Sequence, residues 1–322
     1  MDTASIFSIQ TEADFLTKAL EIFHFQKENN RIYGEFVRLV GKQNPSSLEE
    51  IPFLPIEFFK SKEVLSLPKT GNETLFLSSG TGTIGRSKHF ISDISIYEKS
   101  FFTAYQLLFG NPREQVILAL LPNYIEQGNS SLVYMVKELI EASENGLSGF
   151  LLNEFIEVES RYHQAINSGK EVVIFGVSYA LLDLAEKNMK LNKAKIIETG
   201  GMKGRRKELA KAELHAELCR GLGVDFISSE YGMTELLSQA YSLKKGVFVT
   251  PPWMKILFRD VNDPLSIISG ERNGGMNVID LANVYSCAFI QTQDLGRKTP
   301  DGFVIEGRID IADIRGCNLM VG

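Results

Sequence analysis

Apolar positions recur at helical spacing through residues 11–29, with Leu16, Leu20 and Phe23 on one face, and Thr11-Glu12-Ala13-Asp14 has the form of a capping box. That pattern predicts an amphipathic helix, and a second one follows near Arg31–Val40. The next segment, Ile51-Pro52-Phe53-Leu54-Pro55-Ile56-Glu57-Phe58-Phe59-Lys60, is apolar but carries two prolines. Proline removes a backbone donor and cannot sit inside a helix or a central strand, so an extended segment is expected here.

From residue 74 the pattern alternates between short apolar runs and amphipathic stretches. Strands are expected at Thr74–Leu77, Val116–Leu121, Val172–Gly176, Lys195–Glu198 and Asp225–Ser228. Between them, Ser92 or Asp93 caps a helix carrying Ile94, Tyr97, Phe101, Tyr105 and Leu108, stopped by Gly110. Further helices are expected at Leu132–Ala142, at Tyr179–Lys190 with Ser178 as cap, and at Arg206–Arg220, closed by Gly221 and Gly223. Strand–helix alternation of this kind predicts an α/β fold with a largely parallel sheet. After residue 246 the expected elements are short strands, at Val247–Val249, Met254–Phe258, Asn277–Asp280 and Val304–Ile305. The resulting division is a helical and extended segment (1–73) packed on the core, an α/β core (74–245), a β-rich subdomain (246–307) and a short tail (308–322).

With 322 residues, 44% of them hydrophobic and 23% charged, the chain has the composition of a globular protein large enough to bury its own core. The net charge of −6 argues against a general electrostatic grip on nucleic acid, which requires a basic face. No apolar run approaches the roughly 18–20 residues of a membrane span, and the first residues lack a basic and apolar leader, so no secretory signal is expected. Three cysteines, Cys219, Cys287 and Cys317, contain no CxxC pair, and the four histidines show no metal spacing. A reducing, cytoplasmic setting is the expectation.

The strongest local signal is Leu77-Ser78-Ser79-Gly80-Thr81-Gly82-Thr83-Ile84-Gly85-Arg86-Ser87-Lys88-His89. Small residues after a strand leave backbone N–H groups free to converge on phosphate oxygens, with hydroxyls and a cation to help. Three patterns compete. Gly80, Gly82 and Gly85 match a dinucleotide fingerprint, but no strand ending in an acid follows at the usual distance. Gly80 to Ser87 matches a Walker A loop, except that Arg86 stands where lysine is required. The third pattern is the SSGTTGxPK loop of the adenylate-forming enzymes, slightly permuted, with Lys88 as its terminal cation.

Four further segments follow in the order that the adenylate-forming superfamily requires. They are Glu198-Thr199-Gly200-Gly201-Met202, Glu230-Tyr231-Gly232-Met233-Thr234-Glu235, Thr292-Gln293-Asp294 and Glu306-Gly307-Arg308-Ile309-Asp310 running on to Arg315-Gly316. The second resembles YGxTE. The third resembles TGD with Gln293 in place of glycine, and the last resembles the hinge motif GRxDxxIKxxG with Arg315 in place of lysine. The wording of Pro52–Lys60, Ser229–Leu236, Pro251-Pro252-Trp253 and Asp313–Met320 is similar to the acyl-protein synthetase (LuxE-type) branch, relatives of the phenylacetate–CoA ligases. The resemblance covers about residues 50–322.

That resemblance implies the N-terminal domain of an adenylate-forming enzyme, with parallel sheets flanked by helices and a smaller β-rich subdomain. Only 12 residues follow Asp310, so the mobile C-terminal domain of such enzymes is expected to be essentially absent. The implied reaction joins a carboxylic acid, fatty by this branch or aryl, to ATP as acyl-AMP, with Mg²⁺. A thiol then takes the acyl group. Ser78, Ser79, Gly80, Thr81, Gly82 and Thr83 are implied to hold phosphates. Gly200, Gly201, Met202, Tyr231, Gly232 and Met233 are implied to flank adenine, Thr234 to meet the α-phosphate, Asp294 to hold the ribose, and Arg308 to bind ATP. Glu235 would bind the metal, with Lys88 and Arg308 neutralising charge. By position the acyl pocket involves Pro122, Tyr124, Ser130, Ser131, Gly176, Val177 and Ser178. Cys317 is either the acyl acceptor or a small tail residue, while Cys219 and Cys287 read as core. The acyl group could instead pass to coenzyme A, a carrier protein, a reductase or an amine, or the chain could be a non-catalytic relative that binds nucleotide or a partner.

Overall fold

The structure is a computed structural model that describes residues 1–79, 85–121, 128–200, 206 and 209–309. In chain order the helices are α1 (Glu12–Asn29), α2 (Arg31–Val40), α3 (Phe58–Ser61), α4 (Ile94–Phe109), α5 (Ser131–Ala142), α6 (Phe155–Asn167), α7 (Ser178–Ala185) and α8 (Lys211–Leu222). The strands are β1 (Leu54–Pro55), β2 (Thr74–Leu77), β3 (Lys88–Ile91), β4 (Gln115–Leu120), β5 (Gly149–Phe150), β6 (Glu171–Val177) and β7 (Ala194–Thr199). They continue as β8 (Ser228–Tyr231), β9 (Ala240–Ser242), β10 (Met254–Arg259), β11 (Gly274–Asp280), β12 (Phe289–Thr299) and β13 (Gly302–Arg308). None of the described helices is long and apolar enough to cross a membrane.

The chain divides into two compact units. One comprises residues 76–79 and 95–249. Its sheet has the order β5-β4-β6-β7-β8-β9, parallel except for the last pair. β4 is buried along its whole length, and so is β6 after Glu171, as expected for parallel strands covered on both faces. Close packing of α7 and α8 depends on Gly221, where a Cβ would lie 2.6 Å from both the Cβ and the carbonyl oxygen of Ala185.

The other unit comprises residues 1–75, 80–94 and 250–322. Its sheet has the order β1-β12-β11-β10 with β13 also on β12, and β1 is its one parallel partner among the described strands. The N-terminal helices belong to the same unit as this β-rich region. Phe23 and Tyr33 pack on Phe289, the latter stacked at 5.8 Å, and the Tyr33 hydroxyl donates to Pro52 O at 2.8 Å. Buried Gln26 donates to Asn283 O and accepts from Ala288 N–H, and Asn30 donates to Ser286 O. The capping box is present, with Asp14 N–H on the Thr11 hydroxyl and Thr11 N–H on the Asp14 carboxylate.

Several boundaries depart from the sequence expectation. The prolines restrain only residues up to Pro55. The chain pairs there as β1 and then turns into one helical turn, α3. The helix expected to reach Lys190 ends at Ala185, and the chain then turns through Asn188 in the left-handed region (φ 53°). Ser178 is inside α7 and does not cap it. Arg206 precedes α8 and instead ion-pairs with Asp183 and Glu186, while Gly221 is a packing contact inside the helix and Gly223 (φ 72°) ends it. The strand expected at 225–228 lies at Ser228–Tyr231, and Val247–Val249 supplies only a single bridge, Tyr241 to Val249. Helix α6 and the 11-residue strand β12 were not expected at all.

Candidate active site

The glycine-rich loop leaves β2 at Leu77, whose N–H donates to Asn129 O at 2.8 Å. Ser78 and Ser79 follow, while Gly80, Thr81, Gly82 and Thr83 lie outside the described residues. The chain is described again from Gly85 (φ 89°), and Lys88 opens β3 as an exposed residue. The loop therefore joins two strands, and the next helix, α4, begins only at Ile94. Walker A and dinucleotide loops both deliver phosphate to a helix N-terminus directly after the loop, so the strand–loop–strand order removes two of the three sequence patterns.

Of the residues placed near the acyl group, Pro122 and Tyr124 lie outside the described residues. Ser130 caps α5, its hydroxyl accepting from Val133 N–H at 3.4 Å, and the buried Ser131 gives its carbonyl to the Tyr97 hydroxyl at 3.0 Å. Gly176, Val177 and Ser178 form the end of β6 and the start of α7. Gly176 admits Leu181, whose Cγ would lie 2.6 Å from a Cβ at that position.

Within this unit β6, β7 and β8 are adjacent and parallel, so their carboxyl ends bring Ser178, Gly200 and Tyr231 to one edge. Carboxyl ends of parallel strands are the usual ligand side of such sheets. Gly200 takes a left-handed conformation (φ 69°), and Gly201 and Met202 lie outside the described residues. Tyr231 is buried with its ring edge-on to Phe248, and Gly232, Met233 and Thr234 are half-buried. Glu235 is buried.

Beneath this edge lies a charged cluster absent from the sequence expectations. The Glu198 side chain is 1% exposed and accepts from the Ser178 hydroxyl, from Lys211 Nζ at 2.6 Å and from the Ser229 hydroxyl at 3.1 Å. Ser178 Oγ also lies 2.9 Å from Gly200 O. His215 Nε2 stands 4.0 Å from the carboxylate and 3.1 Å from Ser229 Oγ. Burial alone would raise the Glu198 carboxyl, but His215, Lys211 and Ser178 outweigh it and bring it down to about 2. On the next strand, Glu230 accepts from the Thr199 hydroxyl and folds back over Gly232 so closely that a Cβ there would collide with it. Burial of its carboxyl, with Glu198 as a like charge and Thr199 and Lys211 opposing, pushes Glu230 up to about 7.

The second unit holds Asp294 and Arg308 as direct cross-strand partners on β12 and β13, with Arg308 Nε 3.2 Å from Asp294 Oδ1. Asp294 is largely buried, whereas the Arg308 side chain is 74% exposed. The Asp294 N–H donates to Thr292 Oγ1 at 3.1 Å, and Thr292 Oγ1 donates to Met276 O at 2.9 Å. A residue the sequence did not single out, Arg259, is buried here. It donates to Thr292 O at 2.7 Å, Met276 O at 2.9 Å and Asn277 Oδ1 at 3.0 Å. Gly275 makes room for it, since a Cβ would sit 2.7 Å from the guanidinium Nη1. Burial lowers the Arg259 guanidinium to about 10 against the opposing charges of Glu57 and Asp294. Gln293, the departure from TGD, donates to Glu57. The only sequence signal for Arg259 was a charge ending an apolar run.

Cys287 is fully buried and its thiol is pushed up to about 12, as suits a core position, whereas Cys219, also expected in the core, is only half-buried, with its thiol raised by burial and by Asp225. Cys317 lies outside the described residues, as do Asp310 and Arg315. Among the described residues, no group of three or more His, Cys, Asp or Glu is arranged to hold a metal ion.

No protein-family model matches the sequence, and no curated protein matches it. Solved structures do. An open conformation of 2-hydroxyisobutyryl-CoA ligase with 2-HIB-AMP and CoA is 12% identical, with a TM-score of 0.64 over 93% of this chain and 75% of that one. The ATP-bound RpMatB–BxBclM chimera B3 is 17% identical, with a TM-score of 0.56 over 73% of this chain and 47% of that one. Apo MatB from Rhodopseudomonas palustris is 18% identical, with a TM-score of 0.53 over the same shares. The chain thus spans about half the length of the chimera and of MatB. Parallel sheet, β-rich unit and these likenesses together establish that the chain has the fold of the N-terminal domain of the adenylate-forming enzymes.

Proposed function

We propose that this protein activates a carboxylic acid with ATP, forming acyl-AMP and pyrophosphate, and then passes the acyl group to a thiol. The observation that carries the reading is the joint one of loop and strand ends. A phosphate-type loop runs between two strands, and the Gly200 and Tyr231 segments share one edge of a parallel sheet whose fold is that of adenylate-forming ligases.

Each assigned residue has a defined task in this reading. Ser78, Ser79, Gly80, Thr81, Gly82 and Thr83 hold the β- and γ-phosphates, and Lys88 neutralises them. The Gly200-Gly201-Met202 turn and Tyr231-Gly232-Met233 flank adenine, and Thr234 meets the α-phosphate. Asp294 takes the ribose hydroxyls, with Arg308 beside it. A carboxylate oxygen of the acid bonds to the α-phosphorus, and the bridging bond to the β-phosphate breaks, its electron pair leaving with pyrophosphate. The acid is already ionised, so no general base is required, and catalysis is positioning and charge neutralisation. A thiolate then bonds to the acyl carbon and AMP departs.

Magnesium suits the buried carboxylate of Glu235, which would supply one ligand and leave the remaining positions to phosphate oxygens and water. When bound, the ion neutralises charge on the phosphates. The thiol in this reading is Cys317, and the acid is a fatty acid. Coenzyme A is the second reading for the acceptor, favoured by the likeness to a ligase with CoA bound.

The test is incubation with ATP, Mg²⁺, hydroxylamine and a panel of fatty and aryl acids. Acid-dependent pyrophosphate with a matching acyl hydroxamate is expected. Pyrophosphate from no acid would overturn the reading. A Cys317→Ala protein that still acquires a stable acyl group would overturn the assignment of that thiol.

A further inference from the structure

The two segments assigned to adenine are held from below by two carboxyl groups that the reaction itself does not use. Glu198 sits on β7 two residues before Gly200, and Glu230 sits on β8 one residue before Tyr231. The strands are in register there, Glu198 beside Ser229 and Thr199 beside Glu230. Each carboxyl crosses to the neighbouring element. Glu198 takes the Ser229 hydroxyl from β8, Lys211 from α8 and the Ser178 hydroxyl from α7, and Ser178 also reaches the Gly200 carbonyl. Glu230 takes the Thr199 hydroxyl from β7 and covers Gly232.

Building on the nucleotide reading of this edge, we propose that Glu198 and Glu230 are positioning residues that fix the spacing between the Gly200 turn and the Tyr231 segment, and that the protonated form of Glu230 is the one that holds it. Buried charge of one sign is tolerated here only once. Glu198 has Lys211 and His215 beside it, and among the described residues Lys211 is the lysine that also acts on Glu230. The groups facing Glu230 are Thr199 and Glu198 from β7, Lys211 from α8 and the Tyr241 hydroxyl from β9. Ionising the half-buried Glu230 places a second negative charge against the buried Glu198, and repulsion across β7 and β8 drives their ends apart. The Glu230 carboxyl, raised to about 7, makes that change at physiological pH.

The probe is adenosine, which carries no phosphate that titrates in the same range. Its affinity is measured by calorimetry between about pH 6 and about pH 8 for the wild type, Glu230→Gln, Thr199→Ser and Thr199→Val, together with hydrogen exchange of the ligand-free proteins over residues 199–200 and 231–234. The wild type should lose up to about tenfold in affinity across this range, following one proton. Glu230→Gln keeps an acceptor for Thr199 without a charge, and should bind equally at both ends of the range. Thr199→Ser should behave as wild type, while Thr199→Val should bind weakly throughout and exchange faster at both segments. A Glu230→Gln protein that retains the wild-type pH dependence, or a Thr199→Val protein that binds and exchanges as wild type, would overturn the proposal while leaving the nucleotide site standing. Wild-type protein that binds neither adenosine nor ATP would overturn both.

Discussion

Replacing Glu198 by glutamine removes one buried charge and little volume, and its cost follows from the surroundings. The carboxyl is brought from an ordinary value of 4.5 to about 2 in the folded protein. At roughly 1.4 kcal/mol per pH unit, that difference corresponds to about 3 kcal/mol of stability at neutral pH. Because the folded value is depressed, the stabilisation is complete above about pH 4.5 and is lost as pH falls from there toward 2. Glu198→Gln should therefore lower the melting temperature of the unit that contains it by roughly 5–10 °C at pH 7. The gap from wild type should narrow as the buffer is brought to about pH 3. Differential scanning calorimetry is the appropriate assay, since it resolves more than one transition where a chain divides into two compact units. Glu230→Gln supplies a control of opposite sign. Its folded value lies above the ordinary 4.5, so the wild type loses stability as pH rises toward about 7, and the variant should be the more stable protein at pH 8. A Glu198→Gln protein that melts within a degree of wild type at pH 7, or a gap that stays constant into acid, would refute the reasoning.

Gly221→Val should destabilise the protein by roughly 1–3 kcal/mol, because the new side chain meets Ala185 across the α7–α8 contact; thermal melts check this. Glu235→Ala should abolish Mg²⁺-dependent adenylation while the protein remains folded, as judged by pyrophosphate release and circular dichroism. Asp294→Ala should raise the KM for ATP at least about tenfold with a smaller change in kcat, since a hydrogen-bonded ribose contact serves binding more than chemistry.

Much of the fold was legible because its signals are local. Thr11 and Asp14 cap α1 through neighbouring backbone groups, and the apolar runs of β4 and β6 leave no alternative to buried strands. β12 was hidden because its buried positions include Thr292 and Asp294, polar residues that erase the alternation of apolar and polar positions. Gly221 read as a stop signal because a sequence does not show that Ala185 lies against it. At the candidate site, the residues proposed here on loop and strand-end motifs were legible as candidates from wording alone. The buried partners that hold them were not. Arg259 reaches Thr292 from a strand 33 residues earlier, and Lys211 and His215 reach Glu198 from the helix that follows it. Ordinary-looking charges acquire these roles only when the chain folds a helix or strand across them.

The central claim is that a carboxylate attacks the α-phosphate of ATP, and isotope transfer tests it most directly. The acid that supports pyrophosphate release is supplied with both carboxyl oxygens as ¹⁸O, and the AMP formed after acyl transfer is analysed by mass spectrometry. Attack through the carboxylate leaves one labelled oxygen on AMP, so the account predicts AMP heavier by one ¹⁸O substitution. Unlabelled AMP, or ADP with the label in inorganic phosphate, would contradict it.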